Sequence, residues 1–237
     1  MESMERYETI DEKNAIDAMV TGFMTKVYGR MCLALFITAL TAWVVARSDS
    51  MMSFIFGSKG VFFGMLIAEL GLVFVVSSMI NKISSQTAML LFVIYSLLTG
   101  ATMASIFYVF EFDSIATTFG VTGITFGGMS IYGMVTKKDL SGWGNILMMG
   151  LFGLIIASVV NLIWAQGSVF YWITTYAGVI IFVGLTAFDT QKLKRLSLEA
   201  GEGEAASKLA ILGALELYLD FINLFLYLLR IFGRRNN

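Results

Sequence analysis

Three polar side chains, Glu216, Asp220 and Asn223, interrupt the last apolar stretch of the chain, residues 209–232. At positions i, i+4 and i+7 they lie on one face of a helix. The stretch is long enough to cross a bilayer, for which about 20 apolar residues suffice. A carboxylate at the centre of a spanning helix costs roughly 2.5–3.5 kcal/mol. We therefore expect this face to contact protein or water, enclosed by the other segments; a polar stripe that only fixes helix packing is the alternative.

Two further acids lie within apolar segments or at their ends. Glu69 lies in the middle of the second segment, and Asp189 ends the sixth. Glu111 and Asp113 occupy a short connector, where we expect ordinary solvated charges. Three chemistries use buried acids: a path for hard cations such as calcium, which prefer oxygen ligands; proton-coupled transport; and intramembrane aspartyl proteolysis.

The composition excludes several other functions. The chain has no histidine and a single cysteine, Cys32, which rules out zinc–imidazole chemistry, Ser–His hydrolysis and an intramolecular disulfide. A net charge of −1 does not favour a nucleic acid partner. A protease is disfavoured because Asp220 follows Leu219 rather than a glycine-containing signature, and because the chain has no proline. We predict that the protein is not an enzyme.

The fold class follows from hydropathy. The chain is 57% hydrophobic and 14% charged, with a mean hydropathy of +0.79, which is too apolar for a soluble domain of this size. We predict an all-α integral membrane protein with seven transmembrane helices in one domain, residues 27–237. The acidic residues 1–26 predict a cytoplasmic segment that is either an amphipathic helix leading into the first span or a solvated tail. The predicted spans cover residues 27–46, 61–80, 87–110, 114–135, 145–165, 169–189 and 209–232.

Lysines and arginines set the predicted orientation. With the N-terminus in the cytoplasm, most of the 16 Lys and Arg residues fall in cytoplasmic segments, as the positive-inside rule requires. An odd number of spans places Arg234 and Arg235 outside, whereas a re-entrant last helix would return them to the cytoplasm. The longest connector, residues 190–208, is predicted to be a charged loop. Gly123 and Gly127 form a GxxxG pair, a pattern that permits close helix packing but is common in membrane helices.

Three segments of the sequence resemble one known family. They are residues 126–147 (FGGMSIYGMVTKKDLSGWGNIL), 184–194 (GLTAFDTQKLK) and 215–233 (LELYLDFINLFLYLLRIFG), and they look like the Bax inhibitor-1 family, the transmembrane Bax inhibitor motif proteins. The resemblance extends from Val27 to Gly233, and the acidic N-terminus without a targeting signal fits a bacterial member. It implies a multi-pass protein of the bacterial inner membrane whose last helix is central and surrounded by the other six.

The resemblance also implies a function, a pH-sensitive calcium leak governed by a pair of aspartates. Carried over position by position, the pair is Asp189 and Asp220, which would also be the carboxylates that meet calcium. Glu69 matches the family's acid in the second span, and we expect Glu216 and Asn223 to line the ion path with it. The implied partners are the lipid bilayer, calcium and protons, and no cofactor is implied.

Two details of this mechanism depend on the arrangement of the helices. Some family members place an arginine near the inner end of the second span as a partner for the aspartates, and here only Lys82 could serve. Two carboxylates in hydrogen-bonding range would share a proton and titrate jointly. At about 1.5 Å per residue, Asp220 lies about 16 Å from Leu209. It therefore meets Asp189 only if the last helix begins well inside the cytoplasm or the sixth helix sits deep.

Two other functions stay open at this point. One is a membrane interaction or regulatory protein without transport activity, which would act by binding other membrane proteins. The other is a cation–proton exchanger, which would use the same acids with a different coupling.

Overall fold

The computed structural model describes residues 2–163, 167–201 and 203–236. Within them the chain is helical apart from short connectors and one isolated bridge between Phe110 and Arg235. In chain order the helices are α1 (Glu2–Ala46), α2 (Asp49–Phe56), α3 (Lys59–Met79), α4 (Ser85–Met103), α5 (Ile106–Val109), α6 (Phe112–Val135), α7 (Ser141–Ile163), α8 (Ser168–Glu199) and α9 (Glu204–Phe232).

Among the described residues, six helical segments are long and apolar enough to cross a membrane, which confirms the predicted all-helical membrane protein. The helix α6 has 24 residues, but its glycines, threonines and serines make it less apolar, and it is not among the six. The six segments are Lys13–Ala46, Lys59–Met79, Ser85–Val109, Ser141–Asn161, Val169–Glu199 and Glu204–Phe232.

The N-terminal segment continues directly into the first span. The helix α1 runs without interruption over Glu2–Ala46, so no separate interfacial helix precedes the span. One face of α1, which includes Val20, Phe23, Met24 and Val27, is buried against the rest of the protein. The cytoplasmic placement of residues 1–26 stays a prediction.

The helix α9 is the most buried of the candidate spans. In α9, 67% of the most apolar window is buried inside the protein, compared with at most 39% in the other five. It packs against α1, α4, α6 and α8, and its residues Leu215, Leu217 and Tyr218 are almost inaccessible to solvent. In contrast, α3 packs mainly on α4 and α7 mainly on α8, so both turn most of their surface outward.

Side-chain contacts fix the relative directions of the helices. Arg30 in α1 donates to Ser207 near the start of α9, and Thr38 pairs with Tyr218 farther along. The two helices are therefore parallel, whereas α8 runs antiparallel to α9. The C-terminal tail lies at the opposite end of the bundle from the α8–α9 connector, where the backbone N–H of Asn236 donates to the carbonyl of Val109.

The prediction of a long charged loop over residues 190–208 is wrong. The helix α8 continues to Glu199 and α9 already begins at Glu204, so the connector consists only of residues 200–203. Gly201 and Gly203 adopt positive φ values of 61° and 86°, which other residues rarely tolerate. Hydropathy marks where apolar residues end, but a helix with charged side chains extends beyond that point.

Close helix packing does not occur at the GxxxG pair. A Cβ atom built on Gly123 or Gly127 would meet no atom within 4 Å. Close approach occurs instead at Gly133 in α6, where a Cβ would overlap the carbonyl oxygen of Ala187 and lie 3.1 Å from the Cβ of Thr190. This glycine lets α6 pack directly on the backbone of α8.

We predict that Gly133→Ala destabilises the protein by about 1–3 kcal/mol, because the added methyl group forces α6 away from α8. Thermal unfolding of the purified protein in detergent measures the effect. Gly128→Ala is the matched control, since a Cβ there meets nothing within 4 Å. The control should melt at or slightly above the wild-type temperature because alanine favours a helix. Equal melting temperatures for the two variants would contradict the proposed packing role.

Candidate functional site

Two aspartates from neighbouring helices face each other inside the bundle. Asp189 of α8 and Asp220 of α9 place their carboxyl groups in hydrogen-bonding range. Asp220 is 5% exposed, and the side chain of Asp189 is 13% exposed. The structure thus brings together the two residues that the family resemblance paired.

The hydrogen bonding of this pair depends on a proton. Oδ2 of Asp220 is buried and accepts no hydrogen bond from any of the described residues. Two ionised carboxylates can only accept, so Asp189 and Asp220 form a hydrogen bond only when one of them is protonated. A buried acceptor without a donor is costly, and the geometry therefore suits a pair that holds one shared proton.

A lysine lies beside the pair. Nζ of Lys192 is 3.0 and 2.9 Å from the two carboxylate oxygens of Glu216 and 3.6 Å from Oδ1 of Asp189. The cluster therefore contains three carboxyl groups and one ammonium group, contributed by α8 and α9 in equal numbers. Lys192 neutralises Glu216 and partly compensates Asp189, so that the helices are tied by an ion pair and by the aspartates.

Lys82, the possible basic partner that the family pattern offered, forms no ion pair with either aspartate. Lys82 lies exposed in the connector between α3 and α4 and makes no ion pair within the described part of the chain. Lys192 occupies the role because it lies three residues after Asp189, on the same helical face. That spacing is visible in the sequence, but the hydropathy pattern predicts a loop at residue 192.

The extended hairpin explains how the aspartates meet. The helix α9 begins five residues before Leu209, and α8 continues ten residues beyond Asp189. Asp189 therefore lies about 15 Å inside the end of α8. The helix α9 thus begins before the apolar stretch, and its position relative to the cytoplasm stays a prediction.

The rest of the polar stripe on α9 has other partners. The side-chain amide of Asn223 donates to the carbonyl of Leu219 in its own helix, at 2.8 Å. Tyr227 stacks on Phe182 of α8, with ring centroids 5.9 Å apart. The stripe faces α8 at Glu216, Asp220 and Tyr227, but Asn223 does not join the aspartate cluster.

Glu69 belongs to a separate polar region. On α3, its Oε1 accepts a 2.8 Å hydrogen bond from the hydroxyl of Thr102 in α4. Nearby on α9, the buried hydroxyl of Tyr218 lies 2.7 Å from that of Thr38 in α1. These contacts involve helices other than α8, so Glu69 is not part of the aspartate cluster.

The α6–α7 connector is fastened to α8 next to the cluster. Gln191 accepts from the backbone N–H of Leu140 and donates to the carbonyl of Lys138. Outside the spans, hydrogen bonds from Ser141 and Arg195 hold the pKa of Asp139 below its usual value. Sequence analysis missed this arrangement because its partners are about 50 residues apart.

The cluster alone is not a complete metal site. Within the searched part of the chain, no group of three or more His, Cys, Asp or Glu side chains is placed to hold a metal ion. Calcium takes six to eight oxygen ligands, and two aspartates offer at most four. Any calcium at the pair would need water or carbonyl oxygens as further ligands.

Known proteins resemble this chain over most of its length. The family model described as "Inhibitor of apoptosis-promoting Bax1" matches residues 20–237. The chain is 48% identical to "Inner membrane protein YbhL" of Escherichia coli K12, over 98% of this chain and 100% of that protein. It is 44% identical to an uncharacterized protein of Borreliella burgdorferi, over 91% and 93% of the two chains, and 38% identical to the uncharacterized protein RP147 of Rickettsia prowazekii, over 97% and 96%. The chain therefore belongs to the Bax inhibitor-1 family and is a bacterial, multi-pass membrane member of it.

Proposed function

We propose that the protein is a pH-sensitive calcium leak channel of the bacterial inner membrane, gated by the Asp189–Asp220 pair between α8 and α9. One observation carries the proposal: the carboxyl groups of Asp189 and Asp220, on different helices and little exposed, can form a hydrogen bond only when one of them is protonated. Such a contact converts a protonation change into a change in the force between two helices. Calcium is the transported ion and protons are the regulators.

The gate works through the shared proton. With one proton, the pair joins α8 to α9 and closes the space between them. Without it, two negative charges face each other in a region of low dielectric, where repulsion is strong. The helices then separate, or a cation enters between the carboxylates.

Glu69 is proposed as an acid on the ion path between the aspartates and the far end of the bundle. Its carboxylate is half-buried on α3 and, within the part of the chain that the structure describes, accepts a hydrogen bond from one hydroxyl, that of Thr102. This leaves oxygen lone pairs for a passing cation. Glu216 is less suited to this role because Lys192 neutralises it, and Asn223 because its amide N–H₂ bonds to its own helix.

We also propose seven membrane crossings, with α6 as one of them and α9 at the centre. Because α1 and α9 are parallel, the total number of crossings from α1 to α9 must be odd. The six most apolar segments give an even number, so α6 is needed as the seventh. The burial of α9 and its packing against four helices support the central position. The Lys and Arg distribution supports an N-terminus in the cytoplasm, and an odd number of crossings would then put the C-terminus outside.

We predict that Asp220→Asn removes the pH dependence of calcium flux. The asparagine amide supplies a permanent N–H donor to Asp189, which mimics the shared-proton state at every pH. Calcium entry into proteoliposomes, followed from about pH 6 to 8, measures the effect. The chain has no histidine that would titrate in this range. Flux through the variant should stay at the level that the wild type reaches at the acidic limit.

Asp139→Asn is the matched control for this experiment. It makes the same chemical change in an exposed aspartate at the same end of the bundle, and it should keep the wild-type pH profile. A pH-dependent flux in Asp220→Asn would refute the gate. No calcium flux in the wild type at any pH would refute the leak and favour the membrane interaction protein instead.

We further predict that Lys192 and Glu216 are energetically coupled. Lys192→Met and Glu216→Leu should each lower thermal stability, and the double variant should recover part of the loss, with a coupling energy of about 1 kcal/mol because both side chains are partly exposed. A double-mutant cycle on unfolding in detergent measures it. The surface pair Lys208–Glu204, 3.6 Å apart on one helix, is the control and should show roughly 0.3–0.5 kcal/mol. Additive effects for Lys192 and Glu216 would show that their ion pair does not hold α8 to α9.

A further inference from the structure

A large apolar groove separates α1 from α6. Its volume is about 810 Å³. Met31, Leu35 and Phe36 form the α1 wall, Gly123 and Gly127 leave the α6 wall open, and Phe221 of α9 contributes to the lining. The proposed function does not use this groove.

The groove has the dimensions of a lipid chain. Its lining residues on α6 extend from Phe119 to Val135, a helix length of about 24 Å. The hydrocarbon core of one leaflet is about 15 Å thick. The groove therefore follows the membrane-embedded part of α6 far enough to hold one acyl chain along its length.

A basic cavity adjoins one end of the groove. It has a volume of about 250 Å³ and is lined by four cationic side chains and one carboxylate: Lys137, Lys138, Lys194, Arg195 and Asp139. Residues of the last turn of α6 line both spaces. Met134 and Val135 line the groove, whereas Gly133 and Thr136 line the cavity.

The cavity has unused positive charge. Arg195 is paired with Asp139 at 2.8 Å, and Nζ of Lys194 donates to the carbonyl of Met134 at 2.6 Å. Within the part of the chain that the structure describes, Lys137 and Lys138 make no ion pair. Basic pockets between membrane helices are suited to anionic lipid headgroups.

We propose that an anionic phospholipid binds here, with one acyl chain in the groove between α1 and α6 and its phosphate in the basic cavity at the end of α6. An apolar space next to a basic one matches a molecule that joins an acyl chain to an anion. A membrane-spanning peptide would fill the groove but bring no anion to the cavity. The bound lipid would thus hold α1, α6 and α8 together at one end of the bundle.

The test measures which lipids the full-length protein retains. The protein is reconstituted in phosphatidylcholine with a minor fraction of phosphatidylglycerol, released into detergent, and its retained lipids are counted by native mass spectrometry. The wild type should retain one phosphatidylglycerol in preference to phosphatidylcholine. Lys137→Ala/Lys138→Ala should weaken retention about 25-fold, from roughly fivefold for each lysine.

Gly127→Leu tests the groove separately. The new side chain enters open space and occupies the path of the acyl chain, so retention should be lost while the melting temperature is kept. Gly120→Leu is the matched control on the same helix, since its Cβ also meets nothing within 4 Å but it does not line the groove. Lys82→Ala is the charge control, because Lys82 is an exposed lysine in the α3–α4 connector, at the same end of the bundle, and lines neither the groove nor the cavity. Both controls should retain lipid as the wild type does.

Three results would overturn the proposal. The first is retention of phosphatidylglycerol by Gly127→Leu, because the chain would then lie elsewhere. The second is equal retention of phosphatidylcholine and phosphatidylglycerol by the wild type, which would leave the cavity without a role. The third is displacement of the retained lipid by millimolar inorganic phosphate, which would make the cavity a site for a soluble anion.

Discussion

The burial of a carboxyl group in α9 is the constraint on which the rest of the structure depends. Asp220 is almost completely buried, and an ionised carboxylate there is very unfavourable unless it has a proton or a cation. The helix α8 provides the neighbouring groups: Asp189 beside Asp220 and, one turn further on, Lys192 for Glu216. The two helices must therefore stay in one antiparallel register, because a shift by one residue would separate both pairs at once. The short α8–α9 connector and the packing of Tyr227 on Phe182 hold this register at its two ends.

The other helices keep this hairpin in place from two sides. On one side, α1 and α4 meet α9 through buried hydroxyl and aromatic contacts, in which Tyr218 pairs with Thr38 and packs edge to face on Phe92. On the other side, α6 reaches the backbone of α8 at Gly133. These contacts lie close to the aspartates in the chain, since Tyr218 is two residues from Asp220, and Gly133 meets Ala187, two residues from Asp189. Movement of α8 or α9 therefore cannot occur without a change in the packing of α1, α4 or α6.

The features that the sequence predicted are those determined within one helix. Six of the seven predicted apolar segments correspond to candidate spans among the described residues, and the burial of α9 agrees with a polar stripe that faces protein. These features follow from composition and a period of 3.6 residues. Hydropathy does not identify Lys192 as the partner lysine. Its pairing depends on the register between α8 and α9, and hydropathy carries no information about that register. Hydropathy also predicts the connector too long, because α8 continues through the charged residues 190–199. An apolar pattern ends where a helix enters solvent, but the helix itself can continue. The GxxxG pair failed as a packing signal because any small residue permits close approach, and only the partner helix decides which one is used.

The groove and the aspartate pair are physically connected through their shared walls. Phe221 contributes to the groove lining and follows Asp220 directly in α9. Thr190 of α8 follows Asp189 directly in the chain. Its hydroxyl lies 3.4 Å from the hydroxyls of Tyr28 in α1 and Ser130 in α6, which both line the groove. A separation of α8 from α9 would move Thr190 relative to these two residues and change the width of the groove. A chain bound in the groove would in turn favour the helix spacing that it fits best. By this coupling, a lipid would influence the separation of the aspartates without contacting either of them.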